Sequence, residues 1–165
     1  MRVTAEIRYS ATPGDVFAMI TDKSFQERKL GQTGALSWDV QVRLETGGGA
    51  VVTSRRAMPT DQIPDAFRTF VGKQVVISQT ETWGPPGADG ARTGTLVVEL
   101  GDAPIRMNAS LSLVVASPGT VERVDGELKA RVPLIGGKIE RSAEPAVRAA
   151  IAAEERIGVA WLAER

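Results

Sequence analysis

The chain has 165 residues, balances 20 basic against 20 acidic side chains, and contains neither cysteine nor histidine. That length suits one domain able to bury a core or enclose a small cavity, and the charge balance removes the basic footprint expected of a nucleic-acid binder. The missing residue types exclude disulfides, thiol catalysis, His-based triads and His metal sites, leaving Asp, Glu, Lys, the hydroxyl residues and the single tyrosine, Tyr9, for any chemistry.

Val3, Ala5, Ile7 and Tyr9 alternate with Arg2, Thr4, Glu6 and Arg8, which predicts an opening strand with one buried and one wet face. Thr12 then supplies an N-cap and Pro13 a first helical position for a helix whose apolar stripe is Val16, Phe17 and Ile20. Ser24 and Glu27 have capping-box spacing for a second short helix, which carries Phe25 and Leu30 and ends near Gly31 or Gly34. Leu36, Trp38, Val40, Val42 and Leu44 share one parity of a strand, and Gly47-Gly48-Gly49 turns it into a partner over Ala50 to Met58. Pro59 and Pro64 bracket an interruption, in which Pro64 to Val71 reads as a short helix bearing Phe67 and Phe70 and stopped by Gly72.

Strands follow over Lys73 to Trp83, Thr93 to Leu100, Ile105 to Ala116 and Val121 to Val132. The turn clusters GPPGADG, GDAP and SPG separate them, and such short connections predict antiparallel neighbours. Beyond Gly137 an Ala-, Glu- and Arg-rich run reads as one long terminal helix reaching Leu162, with a break or kink expected at Pro145. The N-terminus lacks the basic and apolar regions of a signal peptide and no apolar run is long enough to span a bilayer, so the expected location is the cytoplasm.

Gly136-Gly137-Lys138 invites comparison with a phosphate loop. It fails, because G-x-x-x-x-G-K-[ST] needs glycine where Val132 stands and Ser or Thr where Ile139 stands. Two glycines between a strand and a helix are better read as a tight turn with positive φ. No carboxylate cluster has calcium-loop spacing, and no metal or cofactor is expected.

The β-α-α-β6-α order, closed by a long helix, resembles the helix-grip fold of the START-like SRPBCC superfamily, which includes pollen-allergen-type and polyketide-cyclase-like proteins. The resemblance covers residues 1–165 as a single domain. Within the superfamily, FQERKLGQTGA, ETWG and VPLIGGKIE resemble a mainly actinobacterial family of unknown function. It implies an α+β fold in which a curved antiparallel sheet of about seven strands wraps the C-terminal helix, with an apolar ligand between them.

Residue patterns bear on such a cavity independently. Ile105, Met107, Ala109, Leu111, Leu113 and Val115 share one parity, as do Val124, Leu128, Ala130 and Val132 on the next strand. The terminal helix offers Ile139, Ala143, Ala146, Val147, Ala150, Ile151, Ile157 and Trp161 at helical spacing. Its small side chains either leave volume open or let the elements close into a packed core.

Met107, Leu111, Val147, Ala150 and Ile151 are the candidate walls, with Trp38 as core or wall. Arg55 and Arg56 are adjacent, so one guanidinium points inward if the strand runs through both, whereas both reach water if it ends near Pro59. Glu81 shares a parity with Val75, Ile77, Gln79 and Trp83, and is either a lining carboxylate or an exposed, ion-paired one. Glu154 is an isolated carboxylate in an apolar cleft or the edge of the helical stripe. Tyr9 is a hydrogen-bond donor to ligand or a core tyrosine, and Phe67 and Phe70 belong to a cover over the entrance or to a static plug.

The leading expectation is non-catalytic binding of a small hydrophobic or amphipathic molecule, such as a lipid, isoprenoid or polyketide-like compound. The alternatives are a cyclase- or dehydratase-like enzyme using the same cavity and a protein-interaction module with a sealed core. No nucleic-acid partner is expected, and the oligomeric state stays open.

Overall fold

Alternation at the start of the chain becomes β1 (Arg2–Tyr9), with Val3, Ile7 and Tyr9 buried and Arg2, Thr4, Glu6 and Arg8 exposed. The computed structural model describes residues 1–61, 63, 65, 68 and 73–165. After β1 come α1 (Pro13–Ile20), α2 (Lys23–Gln32), β2 (Ser37–Leu44) and β3 (Ala50–Pro59). Next are β4 (Gln74–Trp83), β5 (Arg92–Leu100), β6 (Ile105–Ala116) and β7 (Gly119–Ala130), and α3 (Gly136–Ala163) ends the series. The predicted helix over 64–71, with Phe67 and Phe70, lies outside the described residues.

All seven strands form one antiparallel sheet in the order β1-β7-β6-β5-β4-β3-β2. Short turns join β2 to β3 and each of β4 through β7 to the next, residues 60–73 stand between β3 and β4, and α1 and α2 carry the chain from the β1 edge to the β2 edge. β7 starts two residues earlier than predicted, at Gly119, and ends at Ala130.

Local capping chemistry explains the helix starts. Thr12 accepts from the Asp15 N–H at 3.2 Å and Pro13 opens α1, as predicted. For α2 the cap is Asp22 rather than Ser24. Its carboxylate accepts from the N–H groups of Ser24 at 2.8 Å and Phe25 at 3.3 Å, and its full negative charge suits the positive end of the helix better than a hydroxyl. The helix runs on through Gly31, and the chain turns at Gly34 with φ +86°.

Two expectations about α3 are corrected. Gly136 and Gly137 do not adopt positive φ; that conformation falls on the exposed Leu134. Gly136 is required by close approach instead, because a Cβ there would collide with the Ala130 carbonyl oxygen. Nor does Pro145 break the helix, which continues from Gly136 to Ala163. Buried anchors on both sides of the proline, Ile139 and Ile157, hold the two halves to one core and outweigh the single lost backbone hydrogen bond.

The α3 backbone runs closest to β1 and β7 and also meets α1 and α2. Gly158 permits this approach, since a Cβ there would lie 2.7 Å from Tyr9 Cε1. Trp161 meets Phe25 of α2 edge-on at 5.5 Å between ring centres. A helix seated over β1 and β7 leaves the inner face of β3, β4 and β5 less covered.

Candidate functional site

The less covered face of the sheet opens into two adjoining spaces. The outer one is a cleft of about 560 Å³ between α2, β3, β4 and α3, bordered by Lys29, Leu30, Met58 and Ile77 and by Ala146, Ala149, Ala150 and Ala153. Methyl side chains on α3 hold this cleft open. The inner one is a chamber of about 130 Å³ beneath α3, lined by Ile7, Leu96, Val98, Met107, Leu111, Val124, Val147 and Ile151 together with Glu81 and Glu122. Arg56, Gln79, Ala150 and Glu154 border both spaces and form the waist between them. Another groove, of about 540 Å³, lies at the far end of α3, and of its charged residues Arg8, Asp15 and Arg165 are exposed while Asp22 is half-buried and caps α2.

The waist is polar because of where β3 ends. It runs to Pro59, past both arginines, so strand alternation turns Arg55 outward into water and Arg56 inward. Arg56 donates to Gln79 Oε1 at 3.4 Å, and its burial lowers its pKa, an effect Glu154 partly opposes. Opposite, Glu154 on α3 accepts from Lys29 Nζ of α2 at 3.1 Å. Burial pushes the Lys29 pKa down, but Glu154, Glu81 and Glu122 together push harder and the net direction is up. Lys29 therefore stays charged.

Deeper in, two carboxyl groups stand in contrasting surroundings. Glu81, 5% exposed, accepts from Gln79 Nε2 at 2.8 Å and Trp83 Nε1 at 3.1 Å. Burial raises its pKa, Lys29 opposes that rise, and Glu154 adds to it. Glu122, 4% exposed, has an Oε2 with no hydrogen-bond partner among the described residues. Its pKa is raised well above the ordinary carboxylate value by burial first, then by Glu154 and Glu81, against the pull of Lys29. Glu122 is thus pushed toward its neutral form.

Residues 4–162 match the family described as "Protein of unknown function (DUF2505)". The chain belongs to this family. This DUF2505 chain is also 30% identical over 117 residues to the uncharacterized protein Rv0481c of Mycobacterium tuberculosis H37Rv, the match spanning 70% of this chain and 67% of that one. Among solved structures, a START superfamily protein from Mycobacterium smegmatis superposes with a TM-score of 0.58 at 14% identity, covering 98% of each chain. Norcoclaurine synthase from Thalictrum flavum gives a TM-score of 0.58 at 13% identity, over 100% of this chain and 87% of that one. These likenesses establish the fold, and the α+β helix-grip arrangement implied by the sequence is the one this DUF2505 member adopts.

Of the residues singled out from sequence, Arg56, Glu81, Met107, Leu111, Val147, Ala150, Ile151 and Glu154 come together at the waist and chamber. Three others do not. Arg55 faces water, and Trp38, 41% exposed, lies over Gly31 of α2 and lines neither space. Tyr9 is buried beneath Gly158 and Met19, and its hydroxyl, like Glu122 Oε2, lacks a partner among the described residues. Phe67 and Phe70 lie outside the described residues. Two charged site residues escaped the sequence reading, although each carried a signal: Glu122 stands two residues before Val124 on its inward parity, and Lys29 stands one helical turn after the buried Phe25.

Proposed function

We propose that this protein binds a small hydrophobic or amphipathic molecule without transforming it, in the cavity between the sheet and α3. The observation that carries the reading is the apolar chamber opening through a polar waist into the wider cleft. An apolar wall with a few convergent polar groups is the usual make-up of a small-molecule site, and a cleft near 560 Å³ falls in the usual size range. The ligand class is a lipid, isoprenoid or polyketide-like compound. The chain acts as a single helix-grip domain over 1–165 and works in the cytoplasm, and no described helix is long and apolar enough to cross a membrane.

A second reading has its own support. Glu81 and Glu122 are buried carboxyl groups with raised pKa values beside an apolar chamber, the setting of a general acid, and a cyclase- or dehydratase-like enzyme would use them with Arg56 to polarise a bound substrate. Native mass spectrometry of the purified protein addresses both. A bound small molecule recovered unchanged after prolonged incubation supports binding, conversion of that molecule supports the enzyme, and the absence of any adduct together with no uptake of apolar probes contradicts both.

A further inference from the structure

We propose that the inner chamber receives the protonated amine of an amphipathic organic amine, with the Glu122 carboxylate as its acceptor. The inference rests on the cavity being a small-molecule site and names the chemistry of what enters it.

The chamber and its waist hold three carboxyl groups, Glu81, Glu122 and Glu154, and Arg56 is the cation beside them, with Lys29 at the cleft. Lys29 is engaged by Glu154, Glu81 already accepts two hydrogen bonds, and Arg56 donates to Gln79. Glu122 Oε2 is left with nothing among the described residues. Fully ionised, these five groups are one positive charge short of neutrality. In the empty chamber a proton supplies that charge, which agrees with the burial and neighbouring carboxylates that favour the neutral form of Glu122. An ammonium group supplies it equally well and brings the hydrogen-bond donors the carboxylate lacks. An anionic head group would instead enter among three carboxyl groups.

The space around Glu122 limits what accompanies the amine. Ile7, Leu96, Val98, Met107, Leu111 and Val124 surround it, so the neighbouring part of the ligand is apolar. A volume of about 130 Å³ is close to that of an engineered cavity of about 150 Å³ that accepts benzene. Only the head and a compact apolar portion fit inside, and the remainder passes the waist into the outer cleft. As the ammonium enters, the Glu122 carboxyl releases its proton to solvent, and no covalent bond forms or breaks. The other titratable groups facing Glu122 are Glu154 of α3, Glu81 of β4, Lys29 of α2 and Tyr9 of β1.

Calorimetric titration with n-octylamine, 1-octanol and octanoate, at neutral pH in phosphate and in imidazole buffer, tests the proposal. Octylamine is expected to bind at least about ten-fold more tightly than octanol, to release close to one proton, and to gain up to about ten-fold in affinity per pH unit while Glu122 is still protonated. Glu122→Gln, checked for folding by thermal melting, should bring octylamine down to the affinity of octanol and end the proton release. Proton release is read on the unsubstituted protein and does not depend on the variant. Octanol or octanoate binding as tightly as octylamine, or octylamine binding without proton release, overturns the amine assignment and leaves the apolar cavity standing. Failure of all three probes overturns both.

Discussion

Lys29 Nζ lies 3.1 Å from Glu154 Oε1, joining α2 to α3 where the outer cleft meets the waist. The Lys29 side chain is 8% exposed and that of Glu154 22%, so the pair is largely withdrawn from water. Removing one partner of such a pair leaves a charge with no counter-ion, at a typical cost of about 3–5 kcal/mol. Lys29→Met is expected near the lower end of that range, because Glu154 keeps some contact with solvent. Urea denaturation checks this, and Lys29→Met combined with Glu154→Leu should recover most of the loss. A single substitution without effect would show that the pair does not hold the helices.

Ala150 is exposed, yet it borders both spaces. Ala150→Trp should therefore place an indole in the waist while changing stability by no more than about 0.5 kcal/mol, the usual range for surface positions. Uptake of uncharged apolar probes by the chamber should fall at least ten-fold, roughly 1.4 kcal/mol. If the ring instead overfilled a packed core, stability would drop by about 1–3 kcal/mol. Parallel thermal melting and fluorescent-probe titration separate the outcomes.

Glu122 makes stability depend on pH in a definite direction. Its folded pKa is raised, so above the unfolded carboxylate value of about 4.3 the native state binds more protons than the unfolded chain. Stability conferred by the neutral carboxyl is full below that value and is lost as pH rises toward the folded pKa. The slope is at most about 1.4 kcal/mol per unit for one proton. Glu122→Gln should flatten this decline and be more stable than the parent at pH 8, with a smaller slope persisting from Glu81, whose pKa is also raised. Urea midpoints at pH 5 and pH 8 provide the comparison, and identical slopes would rule out a proton on Glu122.

Gly158→Ala tests the seating of α3. Alanine in place of glycine within a helix ordinarily gains about 1 kcal/mol. Here the new Cβ would stand 2.7 Å from Tyr9 Cε1 and 3.0 Å from its hydroxyl, so a loss of about 1–3 kcal/mol is expected. In a Tyr9→Leu background the sign should move back toward gain. A stabilising Gly158→Ala in the unsubstituted protein would contradict the close approach of α3 to β1.

Much of this architecture was legible from residue patterns, because strand alternation and turn chemistry act locally. Val3, Ile7 and Tyr9 announced β1, the three glycines at 47–49 announced the first hairpin, and Thr12-Pro13 announced α1. Features set by tertiary approach were not. The need for glycine at 136 comes from the Ala130 carbonyl oxygen, and the continuity of α3 through Pro145 from anchors at Ile139 and Ile157. At the site, parity could place Arg56 inward only once β3 was known to continue past it. For Lys29 and Glu122 the rarity of fully buried charged residues outweighs helix spacing and strand parity in the sequence, and only the meeting of α2, β7 and α3 gives them a reason to be buried.

An apolar or amphipathic molecule is expected to occupy the chamber beneath α3. Methyl-resolved NMR during titration with 1-octanol tests it most directly, since Ile7, Met107, Leu111, Val124, Val147 and Ile151 all carry methyl groups on the chamber wall. Saturable shifts concentrated on those methyls, with those of the exposed Leu36 and Leu44 unmoved, are the predicted result. Shifts that never saturate, or that saturate only at exposed positions while the wall methyls stay still, would contradict it.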